Sequence, residues 1–426
     1  MSGLWLHVRN SPLRWALPVL IALDLAVLFL RNRHWIGVWP ETGAAAQVPA
    51  YLLGILGAGA AAWAASVPTR HRMVEQLTAA RVHPARLEAN RLGATIVVLL
   101  IPYLIGQAVA FVVTARTFPP GLHLWLGYAL LGVFVILTSV ALGWTCGKLL
   151  GSVFAALTAA LGFLFLIALL DRVGFVVVSG RPEMTVDPGP LAARLASITL
   201  LLLVLLWLPA LSTAGRRRTL VLVPAVLPLV VVLAATSPVA ERELPGDDVV
   251  CVQGSTRLCI WPEHEKYLPL LGELNARIDR LPESFVRPPL INQVGIQPTW
   301  FIGPDGRRHH SDDVGPPAFN ILAGSPWSYS GDIGTALVSA TLRFGSCDWT
   351  ILSSSDERRL WTVEAWLESY LVGQTSPDYR TNAPAEMQEA WSKGREIASG
   401  DSLSDQFQWA AGEVDDLRGR YCHPGH

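Results

Sequence analysis

The sequence predicts an α-helical polytopic membrane bundle of about seven spans, followed by a small, mostly helical α+β domain outside the cytoplasm. Three observations predict it. The chain of 426 residues is 51% hydrophobic and only 16% charged, too apolar for a soluble protein of this length. Nearly all of its long uncharged runs fall within residues 1–236. Charge divides at the same place: residues 1–236 hold 17 Lys and Arg against 7 Asp and Glu, and residues 237–426 hold 16 against 27. The near-neutral total therefore conceals a basic membrane part and an acidic soluble part.

A spanning helix needs about 20 mostly apolar residues. Such segments are expected at 15–30, 47–66, 92–115, 122–147, 151–171, 191–211 and 219–236. The first and last are short, and the boundary between the fourth and fifth rests on "GKLLGS", so six is the alternative count. The first segment is not a signal peptide, since it lacks a small-residue cleavage site and "RNRHW" follows directly. Lys and Arg near helix ends favour the cytoplasmic side. With the loop at 67–91 and "STAGRRRT" inside, eleven basic residues are cytoplasmic, while six (Arg31, Arg33, Arg116, Arg172, Arg181 and Arg194) lie outside. Seven spans then place the N-terminus in the cytoplasm and residues 248–426 outside it, after a linker at 237–247.

Cysteine usage agrees with that orientation. Cys146 falls in the fourth span, whereas Cys251, Cys259, Cys347 and Cys422 all fall in the outer domain, an even set suited to disulfides in an oxidising compartment. Cys251 is paired with Cys259 because "VVCVQGSTRLCIW" reads as two short strands around a Gly-Ser turn. Cys347 would then hold Cys422 and anchor the tail. A metal site using Cys251, Cys259 and His264 is the alternative.

Catalytic signatures fail one by one. In "IWPEHEKYL", Leu268 stands where H-E-x-x-H needs its second histidine. Pro269 suits the first turn of a helix whose apolar face is Leu271, Leu274, Ile278 and Leu281. That leaves His264 and Glu265 in a surface loop between strand and helix. In "GWTCGKLL" only three residues separate Gly143 from Gly147, and Leu149 replaces the Ser or Thr of a P-loop. "RRHHSDD" offers His309, His310, Asp312 and Asp313, but it follows the turn signal "GPDG" and reads as a solvated hairpin loop. No enzyme activity, cofactor, metal or nucleic-acid partner is therefore expected. The rest of the outer domain reads as short strands near 249–261 and 290–302 and helices near 332–344, 384–398 and 402–419. Another helix starts at a Ser354/Glu357 capping box, runs through Leu360, Val363, Leu367 and Tyr370, and stops at Gly373.

Within the membrane part, Asp24 is the least expected residue, because a carboxylate near the centre of a span is costly. Gln107 in the third span is its best-placed polar counterpart. Their bland role is an interhelix hydrogen bond, and their functional one a polar pathway. The Gly- and Ala-rich second span permits close helix contact, and Trp35 and Trp39 read as interfacial anchors. The loop "VEQLTAARVHPARLEA" reads as two short helices around Pro84, with Val74, Leu77 and Leu87 as apolar anchors and Glu75 and Arg81 at the rim of a docking surface. Positive-inside bias explains its arginines but not its length.

The opening "SPLRWALPVLIALDLAVLFLRNRHWIGVWPETGAAAQVPAY", the "EQLTAAR" loop and the "CVQGSTRLCIWPEH" stretch resemble actinobacterial ABC-transporter permease-like proteins of the ABC-2 type with an uncharacterised C-terminal domain. The resemblance implies a non-enzymatic transmembrane subunit, a homodimer or a heterodimer with a second permease, working with a separate ATPase subunit that docks on the 67–91 loop. The rival class is a membrane-anchored recognition or assembly protein whose helices mainly hold the outer domain.

Overall fold

A computed structural model describes residues 3–70, 84–170, 180–211, 226, 229–233, 235–243, 248–297, 300–302, 308–310, 317–322, 324–342, 352–377, 382–400 and 402–422. The chain forms two compact units, Met1–Arg242 and Glu243–His426.

The first unit is helical. Helix α1 (Gly3–Asn10) and a 3-10 turn (Pro12–Ala16) lead into α2 (Leu17–Arg31), α3 (Trp39–Gln47), α4 (Pro49–Arg70), α5 (Pro84–Ala115), α6 (Leu122–Leu150), α7 (Ala155–Leu170) and α8 (Pro188–Leu211). Among the described residues, five stretches are long and apolar enough to cross a membrane: Leu13–Arg31, Trp39–Arg70, Ala85–Ala115, Leu122–Leu150 and Pro188–Trp207. Ala155–Leu169 is apolar but shorter. The expected span at 219–236 lies mostly outside the described residues. Helix α4 packs centrally, against α6 and α7. Its small residues let the backbones approach closely: a Cβ on Gly143 of α6 would sit 2.2 Å from the Ala58 carbonyl oxygen.

Four expectations change here. Pro84 does not separate two short helices; it is the first residue of α5, where a missing N–H costs nothing, so residues 84–91 run straight into the span. Trp35 and Trp39 are 1% and 0% exposed, enclosed by protein rather than presented on its surface. The Trp35 indole donates to the carbonyls of Leu28 (3.2 Å) and Asn32 (3.1 Å), and that of Trp39 to Pro119 (2.7 Å), because a buried indole N–H requires an acceptor. Part of the expected linker is a strand: β2 (Val239–Glu241) pairs antiparallel with β1 (Met184–Val186). Arg194, expected at an outer helix end, is fully buried and donates to the Thr236 carbonyl at 2.5 Å.

The second unit contains β3 (Val250–Val252), β4 (Arg257–Ile260), β5 (Leu290–Gln293), the hairpin β6 (Trp300–Ile302) and β7 (Arg308–His310), and β8 (Ala318–Phe319). Its sheet runs β3-β4-β5-β8, antiparallel at β3/β4 and parallel beyond. A 3-10 turn (Pro262–Tyr267) leads into α9 (Leu268–Ile278), and α10 (Pro326–Leu342), α11 (Ser354–Val372), α12 (Ala385–Gly400) and α13 (Leu403–Tyr421) follow. The apolar face of α9 is buried as its spacing predicts: Leu271, Leu274, Ile278 and Leu281 are all under 5% exposed.

Cys251 and Cys259 face each other across β3 and β4 and are disulfide-bonded. Cys422 is also disulfide-bonded, while Cys347, its expected partner, lies outside the described residues; Cys146 is free. Replacing Cys251 and Cys259 together by Ala should lower the stability of this unit by about 2.5 kcal/mol, the chain-entropy value for so short a loop. Chemical denaturation of the full chain, followed by hydrogen exchange in β3 and β4, measures it.

Helix α11 is capped one residue earlier than expected, by Ser353, whose hydroxyl accepts from the Asp356 amide at 3.2 Å. Ser353 has the extended backbone a cap needs, whereas Ser354 is already the first residue of the helix. Gly373 closes the helix at φ 76°. Asp356 ties the C-terminal helix to this start by accepting from the Tyr421 hydroxyl (2.7 Å), Arg359 (3.0 Å) and Arg420 (3.2 Å). Burial pushes its carboxyl up, but these donors and the Ser353 hydroxyl outweigh burial and hold it down at about 2. A carboxylate depressed on folding stabilises above its unfolded value near 4 and loses that contribution as pH falls. The tail should therefore undock between about pH 4 and pH 2, and Asp356→Asn should abolish that acid step in the exchange of α13 amides.

Candidate functional site

Two polar clusters stand out in the helical unit. The first lies mid-helix. Asp24 on α2 is 1% exposed and presses against α5 where only a glycine fits: a Cβ on Gly106 would lie 1.7 Å from Asp24 Oδ2. One helical turn along the same face, the Tyr103 hydroxyl donates to the Ala129 carbonyl of α6 at 2.8 Å and accepts from Gln107 Nε2 at 2.8 Å. Gln107 is 4% exposed. Among the described residues, neither Asp24 oxygen and not Gln107 Oε1 meets a hydrogen-bond donor. Acceptors thus outnumber donors in a dry place, where each unmatched one carries a desolvation cost.

The sequence offered Gln107 as the interhelix hydrogen-bond partner of Asp24; among the described residues Asp24 meets this face of α5 without such a bond, and Gln107 bonds Tyr103 instead. Gly106 and Tyr103 were missed, although Gly106 and Gln107 follow Tyr103 by three and four residues and so lie on its face of the helix. Gly106→Ala should destabilise the full chain by roughly 1–3 kcal/mol, the usual cost of overpacking. Asp24→Ala in the same chain should restore most of that loss, and thermal unfolding in detergent of both variants decides the matter.

The second cluster lies where α5 begins. Of the proposed docking residues, Val74, Glu75, Leu77 and Arg81 lie outside the described residues, and Leu87 is half-buried in the first turns of α5. Next to Leu87, Glu88 is 4% exposed. Its Oε1 accepts from the Trp144 indole at 2.8 Å and pairs with Lys148 Nζ at 2.6 Å, both on α6; its Oε2 lies 3.6 Å from Arg91. Arg91 in turn donates to the Ala64 carbonyl of α4 and stands 5.7 Å from the Trp144 ring centroid. One carboxylate therefore laces α4, α5 and α6 together at the end of the bundle that carries residues 71–83. Sequence reasoning missed it: Glu88 was not singled out, and Lys148 entered only as a cytoplasmic charge and within a failed P-loop motif. One of only two acids in a loop with five arginines was the available signal.

Among the described residues of the second unit His264 stands out, and it is not at the surface. His264 is 1% exposed, against the expected solvent loop. The 3-10 turn folds its ring inward, edge-on to Tyr267 at 5.3 Å, with Nδ1 2.8 Å from Gln293 Nε2 on β5. An amide N–H facing Nδ1 requires the neutral tautomer with its proton on Nε2. Burial pushes the imidazole down to about 3, with Lys266 adding to this and the Gln293 bond opposing it. His309 and His310 lie on β7, opposite Phe301 and Trp300, while Asp312 and Asp313 lie outside the described residues. Among the described residues no group of three or more His, Cys, Asp or Glu is placed to hold a metal.

Comparison with known protein families, curated proteins and solved structures finds no match to this chain.

Proposed function

We propose that the chain is the transmembrane subunit of an ABC-2-type transporter, driven by a separate ATPase that docks on residues 67–91, with seven spans and the Cys251–Cys259 domain outside the cytoplasm. One observation carries the reading beyond the sequence resemblance: Glu88 joins three helices at the end of that loop. A push on the loop would then act on α4, α5 and α6 as one body, because the ion pairs and the indole bond leave little play between them. The intramembrane Asp24 face has the polarity of a pathway lining, which suits the same function.

The rival reading, a membrane anchor for the outer domain, needs neither a long loop nor a laced base. The two separate on a double substitution. Replacing Leu77 and Leu87 by Asp removes two apolar anchors, where interface energy is concentrated, and should abolish co-purification of the ATPase while expression and membrane insertion persist. An ATPase still bound to that variant argues against docking at 67–91.

A further inference from the structure

A recess of about 210 Å³ opens between the N-terminal segment, α4 and α5, with His7, Asn10, Trp63, Val67, Arg91 and Thr95 among its walls. Among the described residues no acidic side chain lines it. The one acid nearby on α5, Glu88, is committed to Trp144 and Lys148 of α6. Cations surround it instead. Arg91 is fixed at the back through Glu88 and the Ala64 carbonyl. Arg70 stacks on the Trp63 ring at 3.6 Å, and its Nε is buried with no acceptor among the described residues. Arg9 and Arg14 are exposed on the N-terminal segment.

The remaining wall is apolar, from Leu13, Ala60 and Ala94. Its surroundings show large apolar groups to the outside: Trp5 and Leu6 are each 54% exposed, Trp15 75% and Trp63 45%. Helix α1 does not hang free, since Leu4 reaches within 3.1 Å of where a Gly93 Cβ would stand on α5. A short helix docked along a span, with tryptophans outward and cations beside them, has the character of an interfacial segment.

We propose that this recess binds the headgroup of an anionic phospholipid, its phosphate facing Arg91 and His7 and its acyl chain following the apolar wall along α4. Free phosphate would have no use for that wall or for the exposed tryptophans; a lipid uses both. Phosphate suits the donors, because guanidinium groups match its geometry, and basic residues at a membrane surface favour anionic over zwitterionic lipid. The proposal does not depend on the transport reading.

Native mass spectrometry of the full chain, delipidated in mild detergent, tests it. Phosphatidylglycerol and phosphatidylcholine with identical chains are offered at equal concentration, with inorganic phosphate as a third arm. Wild type should retain phosphatidylglycerol roughly tenfold over phosphatidylcholine, as expected from two or more cations at a membrane surface. Ala60→Phe, which fills the recess, should lose that preference. So should His7→Glu with Asn10→Glu, which reverses its charge at accessible positions and keeps the test open if the Phe variant misfolds. Equal retention of the two lipids by wild type, or an unchanged preference in folded variants, overturns the proposal. Displacement of the lipid by inorganic phosphate at matched concentration also overturns it, by assigning the recess to a free anion.

Discussion

Glu88→Gln should destabilise the full chain by about 2–3 kcal/mol and, if the base of the bundle transmits force, should uncouple it even where it still folds. The magnitude follows from what remains. Gln can keep the Trp144 bond through its carbonyl, but Lys148 and Arg91 lose their counter-charge, and removing one member of a largely buried pair costs more than the pair contributes. The low end of that range applies because the side chains of Lys148 and Arg91 retain 19% and 16% exposure. Lys148→Met should cost less than Glu88→Gln, since it leaves Glu88 with both Arg91 and the Trp144 indole. Thermal unfolding in detergent, with lipid held constant, ranks the two variants. A Glu88 variant as stable as the parent would show that the three helices do not depend on this carboxylate.

Acid should weaken the second unit well before Asp356 is reached, through His264. Its folded value of about 3 lies below the ordinary 6.5, so the unfolded chain binds the proton first as pH falls. The stabilising contribution is therefore complete above about pH 6.5 and is lost on acidification from there towards 3, at a slope approaching 1.4 kcal/mol per pH unit. His264→Gln removes the titration while leaving an amide oxygen to accept from Gln293. Hydrogen exchange in β4 and β5 of the full chain, compared between parent and variant from pH 7 to pH 4, should show a steep dependence in the parent and a shallower one in the variant. Identical slopes would mean that His264 does not govern this window.

The helical unit was legible where composition alone suffices. The runs that became α4, α5 and α6 are long, uncharged and bounded by arginines, and no tertiary information is needed to find them. The Cys251–Cys259 hairpin was legible for a similar local reason, a turn between two cysteines at short spacing. Contacts between distant segments were not. Trp35 and Trp39 read as anchors because tryptophan is common at interfaces, yet carbonyls at Leu28, Asn32 and Pro119 gave their indoles buried acceptors. Glu88 was not singled out because Trp144 and Lys148 lie about 60 residues away on α6, and no local pattern announces them. His264 was misplaced because a turn of six residues, Pro262–Tyr267, rotates the ring inward; the proline rule correctly kept it off α9 but says nothing about which way a 3-10 turn faces.

The central claim is that a separate ATPase works through residues 67–91. Affinity purification of the unmodified full chain from its native cells in mild detergent, with quantitative identification of what is retained, tests it most directly. The account predicts a nucleotide-binding subunit without membrane spans, in amounts comparable to the chain itself. Retention of envelope proteins alone, with no ATP-binding partner, would contradict it and favour the anchored outer domain.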